Sequence, residues 1–150
     1  IYFLKEWIND RLNAWLGPKL YGLPYCLSHH DCHHCPKSHR WEGRIEDAAT
    51  RASFEYTAVA PGNLQVQPVE PGSLPDFLLE RYAAFTEWHQ VRRVFRIEHA
   101  PWLQCPVQIQ IHNTTLLEQA AAWWGSTTPC GAQASPGVHD VRMGAPERLD

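Results

Sequence analysis

Long apolar runs, basic clusters and lysine are all scarce in this sequence. No uninterrupted apolar stretch approaches the roughly 20 residues a helix needs to cross a bilayer, which excludes a helical membrane span. Thirteen Lys plus Arg face 16 Asp plus Glu for a net charge of −3. The basic residues are scattered, and the pair Arg92-Arg93 is too short to mark a polyanion site. That excludes a protein whose affinity comes mainly from nucleic-acid phosphates. The lysines are Lys5, Lys19 and Lys37, and none sits in the apolar surroundings that would lower an amine's pKa for Schiff-base chemistry. No Gly-x-Ser-x-Gly elbow is present to support a hydrolase, and no glycine-rich loop to cradle a phosphate. The residues that follow Ile1 do not show a basic n-region, apolar stretch and small-residue cleavage site, and no internal repeat or low-complexity tract appears.

What is present suits a folded domain. Hydrophobic residues make up 44% and charged residues 19% of 150 residues, enough apolar material for one core and one domain over 1–150. Five cysteines (Cys26, Cys32, Cys35, Cys105 and Cys130) are an odd number in a chain long enough to stabilise itself by burial. A disulfide framework is not expected, and a reducing cytoplasm is. The chain opens on Ile1 within an amphipathic segment, which reads as the later part of a longer domain whose first strands lie upstream.

Phe3, Trp7, Ile8, Leu12, Trp15 and Leu16 recur at helical spacing, predicting a helix over 3–16 that Gly17-Pro18 would stop. Lys19 to Ala60 reads as extended segments of an antiparallel meander, with turns at Pro36–Ser38 and Ala48–Arg51. Pro61, Pro68 and Pro71 restrict the loop from Pro61 to Gly72. Ser73, with Asp76 three residues on, predicts a capped helix carrying Phe77, Leu78, Tyr82 and Phe85, with Glu80-Arg81-Tyr82 in mid-helix. Val91–His99 alternates with Arg93, Phe95, Ile97 and His99 on one side. Val107, Ile109 and Ile111 mark a half-buried strand, Thr114 or Thr115 caps a short helix to about Trp123, and Gly137–Met143 is a candidate last strand. Short strands with helices between them predict an α+β fold, a β-rich antiparallel, barrel-like sheet with flanking helices.

Two stretches carry chemistry. Cys26 to His39 holds three cysteines and five histidines, and thiolate with imidazole suits zinc. In a strand, His29, Asp31, His33 and Cys35 separate from His30, Cys32 and His34, and neither face has the usual second knuckle. A histidine-rich edge hairpin without a native metal is therefore expected. His99-Ala100-Pro101-Trp102 ends a strand bearing Arg93 and Arg96, where polar side chains can face a cavity. Arg81 is either a buried anion partner or a solvated charge.

Phe3-Leu4-Lys5-Glu6-Trp7, Leu20-Tyr21-Gly22-Leu23-Pro24-Tyr25, Pro71-Gly72-Ser73-Leu74, Phe77-Leu78-Leu79-Glu80-Arg81-Tyr82, His99-Ala100-Pro101-Trp102 and Ser135-Pro136-Gly137-Val138 follow one another in order. With these phrases the chain resembles the YqjF-like family (domain of unknown function 2071), a bacterial group of acetoacetate-decarboxylase-like fold. The resemblance implies a β-rich barrel enclosing a small-molecule cavity, here lacking its N-terminal strands. It also implies that the strand around Pro24 would carry the Schiff-base lysine of a decarboxylase; Tyr25 and Cys26 stand there instead, and neither can form the cationic imine.

The expected function is thus binding of a small carbonyl- or carboxylate-bearing molecule through Tyr25, Arg81, His99 and Trp102, without a cofactor or metal. Nucleic-acid and membrane partners are not expected, self-association is left open, and whether the protein is an enzyme is undecided. An acid–base enzyme for a keto or enol compound using Tyr25, His99 and an upstream arginine is one alternative, and a scaffold with a filled cavity another.

Overall fold

The computed structural model describes residues 3–62, 65–121 and 128–149. Twelve strands and three helices are seen among them. The largest sheet takes the order β1 (Glu6–Ile8), β2 (Tyr25–Cys35), β3 (Arg40–Asp47), β4 (Ser53–Val59) and β9 (Gln108–Asn113). From β2 onward it is the expected antiparallel meander, with Ser28 opposite Asp47 and Arg40 opposite Val59, but β1 pairs β2 in parallel. A second sheet centres on β7 (Val91–Glu98), with β6 (Ala83–Trp88) on one edge and β11 (Arg142–Met143) and β12 (Glu147–Leu149) completing it. The third joins β10 (Gln133–Ala134), β8 (Leu103–Pro106) and β5 (Gln67–Pro68). The fold is strand-rich α+β, and the strands do not close into a barrel among the described residues. This corrects the barrel-like expectation: the sheets remain separate hydrogen-bonded ladders.

The first helix is shifted from its expected place. Glu6–Ile8 is strand β1, and α1 (Arg11–Leu20) begins where Asp10 accepts the Asn13 N–H at 2.8 Å. It runs through Gly17 and Pro18, then ends with Gly22 at φ 71° and the Tyr21 and Gly22 N–H groups on the carbonyls of Gly17 and Pro18. Gly17 is a packing residue, since a Cβ there would enter the Tyr25 ring. The apolar stripe is not the buried face, for Leu12 and Trp15 are 63% and 59% exposed and Lys19 lies over the Trp15 ring at 3.6 Å.

A second correction concerns the helix after Ser73. The cap forms, with Asp76 N–H donating to Ser73 Oγ at 3.2 Å, but α2 (Leu74–Leu79) is only six residues long. Tyr82 follows it and Phe85 belongs to β6. The turn His89-Gln90, with both φ values positive at 49° and 64°, joins β6 to β7 as a tight hairpin. The third helix, α3 (Thr115–Ala120), has Thr114 at its N-cap position, but the Thr114 side chain makes no capping hydrogen bond; the expected end at Trp123 lies outside the described residues. Of Gly137–Met143 only Arg142–Met143 is strand.

The core between the first two sheets is Leu23, Ala84 and Phe95, with Phe3, Tyr21, Tyr25 and Ile97 packed around it. Phe3 stacks on Phe95 at 6.3 Å, and Tyr21 meets the same ring edge-on at 6.0 Å. The face of β7 bearing Arg93, Phe95 and Ile97 thereby turns inward, and the one bearing Arg92, Arg96 and Glu98 outward.

Candidate functional site

The end of α2 and the outward face of the β6–β7 hairpin enclose an open hollow of about 600 Å³. Arg81, Ala83 and Phe85 line it from the first strand side, Arg96 and Glu98 from β7, and Glu80 and Tyr82 close the rim. The register that sets Ala83 opposite Arg96 brings these side chains together.

Around the rim one carboxylate organises the rest. Glu80 is the C-cap of α2, and its Oε1 accepts the Trp102 main-chain N–H at 2.7 Å while Oε2 accepts the Tyr82 hydroxyl at 2.5 Å. Both oxygens therefore have donors. The bond to Glu80 pushes the Tyr82 phenol above its ordinary range, since the charged carboxylate disfavours a phenolate beside it. Tyr82 stacks on His99 at 4.7 Å and 15°, and Trp102 meets His99 edge-on at 6.1 Å. His99 is tied at both nitrogens, with Nδ1 2.8 Å from the Ala100 carbonyl oxygen and Nε2 3.3 Å from that of Arg81.

The two arginines differ from this network. The Arg81 guanidinium lies over the Phe77 ring at 4.1 Å, a cation–π contact that fixes the group without neutralising it. Arg96 is exposed on the same surface. The ion pairs seen among the described residues involve neither of them. A guanidinium without a carboxylate presents a planar fork of donors suited to an incoming carboxylate or carbonyl.

Of the four residues singled out in the sequence, Arg81 lines the hollow, while His99 and Trp102 stand behind its rim and hold Glu80 and Tyr82. Tyr25 is not among the lining residues. It opens β2, packs on Gly17 and borders the core, where burial first and the nearby Glu6 charge second raise its pKa. Burial likewise raises Glu6. Neighbouring Cys26 is raised by burial, an effect Lys5 opposes and Asp47 reinforces. Phe85, Glu80 and Glu98 line the hollow without having been marked by the sequence, and Arg96, expected only on a strand near a cavity, joins them. Ala83 to Trp88 alternates in burial, at Ala84 and Thr86, but not in residue type, so its sequence carries no period-two signal for β6.

The Cys/His stretch is a hairpin arm on the solvent side of the same large sheet. His29, Asp31, His33 and Cys35 are exposed along β2, and His33 Nε2 meets Asp31 Oδ1 at 2.9 Å. On the other face His30 bonds Ser28 at 2.9 Å and His34 stacks on Trp41 at 4.4 Å. Ser38 at the turn holds the Cys35 thiol below its ordinary range. Among the described residues no group of three or more His, Cys, Asp or Glu is arranged to hold a metal ion, and no helix is long and apolar enough to cross a membrane.

A family model, DUF2071, described as "Uncharacterized conserved protein (COG2071)", matches residues 1–139. No curated protein matches the chain.

Proposed function

We propose that this chain, which belongs to the DUF2071 family, binds a small carboxylate- or carbonyl-bearing molecule in the hollow between α2 and the β6–β7 hairpin. The observation that carries this reading is the pair of guanidinium groups, Arg81 and Arg96, at one hollow without an ion-paired carboxylate among the described residues. Arg81 is oriented by Phe77, Glu80 is occupied by its two donors, and Phe85 offers apolar surface for the remainder of the ligand. Glu98 is the rim carboxylate that opposes an anion, so it limits affinity and favours a ligand with a polar neutral end.

In this reading the molecule is a binding protein of acetoacetate-decarboxylase-like ancestry and cytoplasmic residence that has lost the covalent step. The placement of its lysines supports that: Lys5 lies over Trp7 at 5.1 Å, Lys19 over Trp15, and Lys37 in the exposed β2–β3 turn, so none lines the hollow. Imine formation needs an unprotonated amine beside the carbonyl. The acid–base alternative would need Tyr25 and His99 to share a ligand, and they do not line the hollow together.

Thermal-shift and NMR titrations with pyruvate, acetoacetate and benzoate test the reading. Saturable binding is expected with shifts at Arg81, Phe85 and Arg96, abolished by Arg81→Gln with Arg96→Gln. Binding undiminished in that double variant, or a borohydride-trapped adduct with acetoacetate, would overturn it.

A further inference from the structure

Glu98 stands in a row of charges that strand register builds across the second sheet. The pairing that sets Ala83 opposite Arg96 continues outward, with the Ile97 N–H on the Tyr82 carbonyl at 3.0 Å, and so sets Arg81 opposite Glu98. On the other edge of β7, β11 sets Arg142 opposite Glu98, and the Gly144 N–H on the Arg96 carbonyl at 2.9 Å continues that ladder. Directly opposed residues of an antiparallel pair share a face, as do residues two apart on one strand. Arg81, Arg142 and Arg96 therefore surround Glu98 on the outward face, with neighbouring strands about 4.8 Å apart. Glu98 is nevertheless exposed, and among the described residues neither an ion pair nor a side-chain hydrogen bond engages it.

Arg81, Arg96 and Glu98 all line the hollow, so a ligand whose carboxylate reaches the two guanidinium groups lies beside an acceptor that lacks a donor. Sign decides what fits there. A keto oxygen or a second carboxylate only accepts, and would face the Glu98 oxygens without a proton between them. An ammonium would meet the three guanidinium groups that flank Glu98. A hydroxyl is neutral and donates, and its bond to a charged carboxylate is of the stronger kind.

We infer that the hollow selects a short hydroxycarboxylate over the corresponding keto acid, Glu98 accepting the ligand's hydroxyl while Arg81 and Arg96 hold its carboxylate. This rests on the carboxylate-binding reading above and names the ligand class. Glu98 then sets specificity: it opposes every anion and compensates only one that brings a donor.

Calorimetric titration with matched pairs, lactate against pyruvate and 3-hydroxybutyrate against acetoacetate, reads this preference as a ratio of dissociation constants. The hydroxy member of each pair should bind about fivefold more tightly. Alanine, with an ammonium in place of the lactate hydroxyl, should bind more weakly than lactate. In Glu98→Gln the ratio should fall to about one, because the amide no longer repels the keto oxygen and no longer offers a charged acceptor. A merely structural role would move all ligands together, and circular dichroism checks that this exposed substitution leaves the fold in place. Equal binding of hydroxy and keto acids, a ratio unchanged in Glu98→Gln, or alanine bound more tightly than lactate would each overturn the inference. In those cases the carboxylate-binding reading stands so long as Arg81→Gln with Arg96→Gln abolishes binding of both classes. No binding of either class, or binding undiminished in that double variant, would overturn the reading and this inference with it.

Discussion

Two corners of the molecule handle charge in opposite ways. At the β3–β4 turn, Asp47 is buried and accepts the Trp7 indole N–H on Oδ2 and the Ala49 and Thr50 N–H groups on Oδ1, each at 2.9 Å. Beside it Glu46, with a side chain 9% exposed, meets Arg44 at 2.6 Å and Arg51 at 2.7 Å. Every charge in that corner is committed to the fold. At the α2 and β6–β7 hollow, by contrast, Arg81 and Arg96 form no ion pair with a carboxylate among the described residues, and Arg81 lies over the Phe77 ring. A charge whose partners are all internal serves architecture, because removing it orphans buried donors. One left without a partner beside a hollow is available to something outside.

Asp47→Ala is the most severe test of that contrast. It strands three donors and should cost about 2 to 4 kcal/mol in denaturant unfolding, with no special effect on carboxylate binding. The same group has a signature in pH. Burial alone would raise Asp47, but the Thr50, Trp7 and Ala49 donors outweigh it and hold its pKa below the ordinary 3.8. Its stabilising contribution is therefore present above that value and lost as pH falls through the lower folded pKa. Asp47→Asn should flatten this acid limb, and an unchanged limb would remove Asp47 as its source.

Arg96→Gln should do the reverse, lowering carboxylate affinity about tenfold while stability stays within about 0.5 kcal/mol. If it unfolds the protein instead, the contrast fails. Glu98→Gln sharpens the same point and should tighten carboxylate binding about two- to threefold by titration. Glu46→Gln should bring a small stability loss that fades in high salt, because Arg44 and Arg51 are more than half exposed. Least of all is expected from Tyr25→Phe. Its hydroxyl has no hydrogen-bond partner among the described residues, so both unfolding and titration curves should overlay those of the parent.

The meander was legible because Ser53 to Val59 and Val107 to Ile111 alternate cleanly, and because Pro36–Ser38 and Ala48–Arg51 mark their turns. The helix over 3–16 was misread for a physical reason. Phe3, Trp7 and Ile8 satisfy the helical period as well as a short strand does, and tertiary pairing with Tyr25–Leu27 decides between them. Leu78, Tyr82 and Phe85 mimic one helical face in the same way, yet Glu80 caps α2 and the chain extends. His89-Gln90 carries none of the glycine or asparagine that signals such a turn, so β6 was hidden. In the candidate site, Arg81, His99 and Trp102 were marked by their motifs, but Arg96 and Phe85 needed the hairpin register to be seen.

By itself the sequence determined what the chain is made of: enough apolar residues for a strand-rich fold, basic residues scattered rather than clustered, and Tyr25 and Cys26 rather than lysine after Pro24. Those follow from composition and local identity, which no fold can alter. Which arginines keep their charge unspent was decided by tertiary structure alone. A guanidinium finds or misses a carboxylate according to strand register and the face it projects from, and both are set by residues far away along the chain.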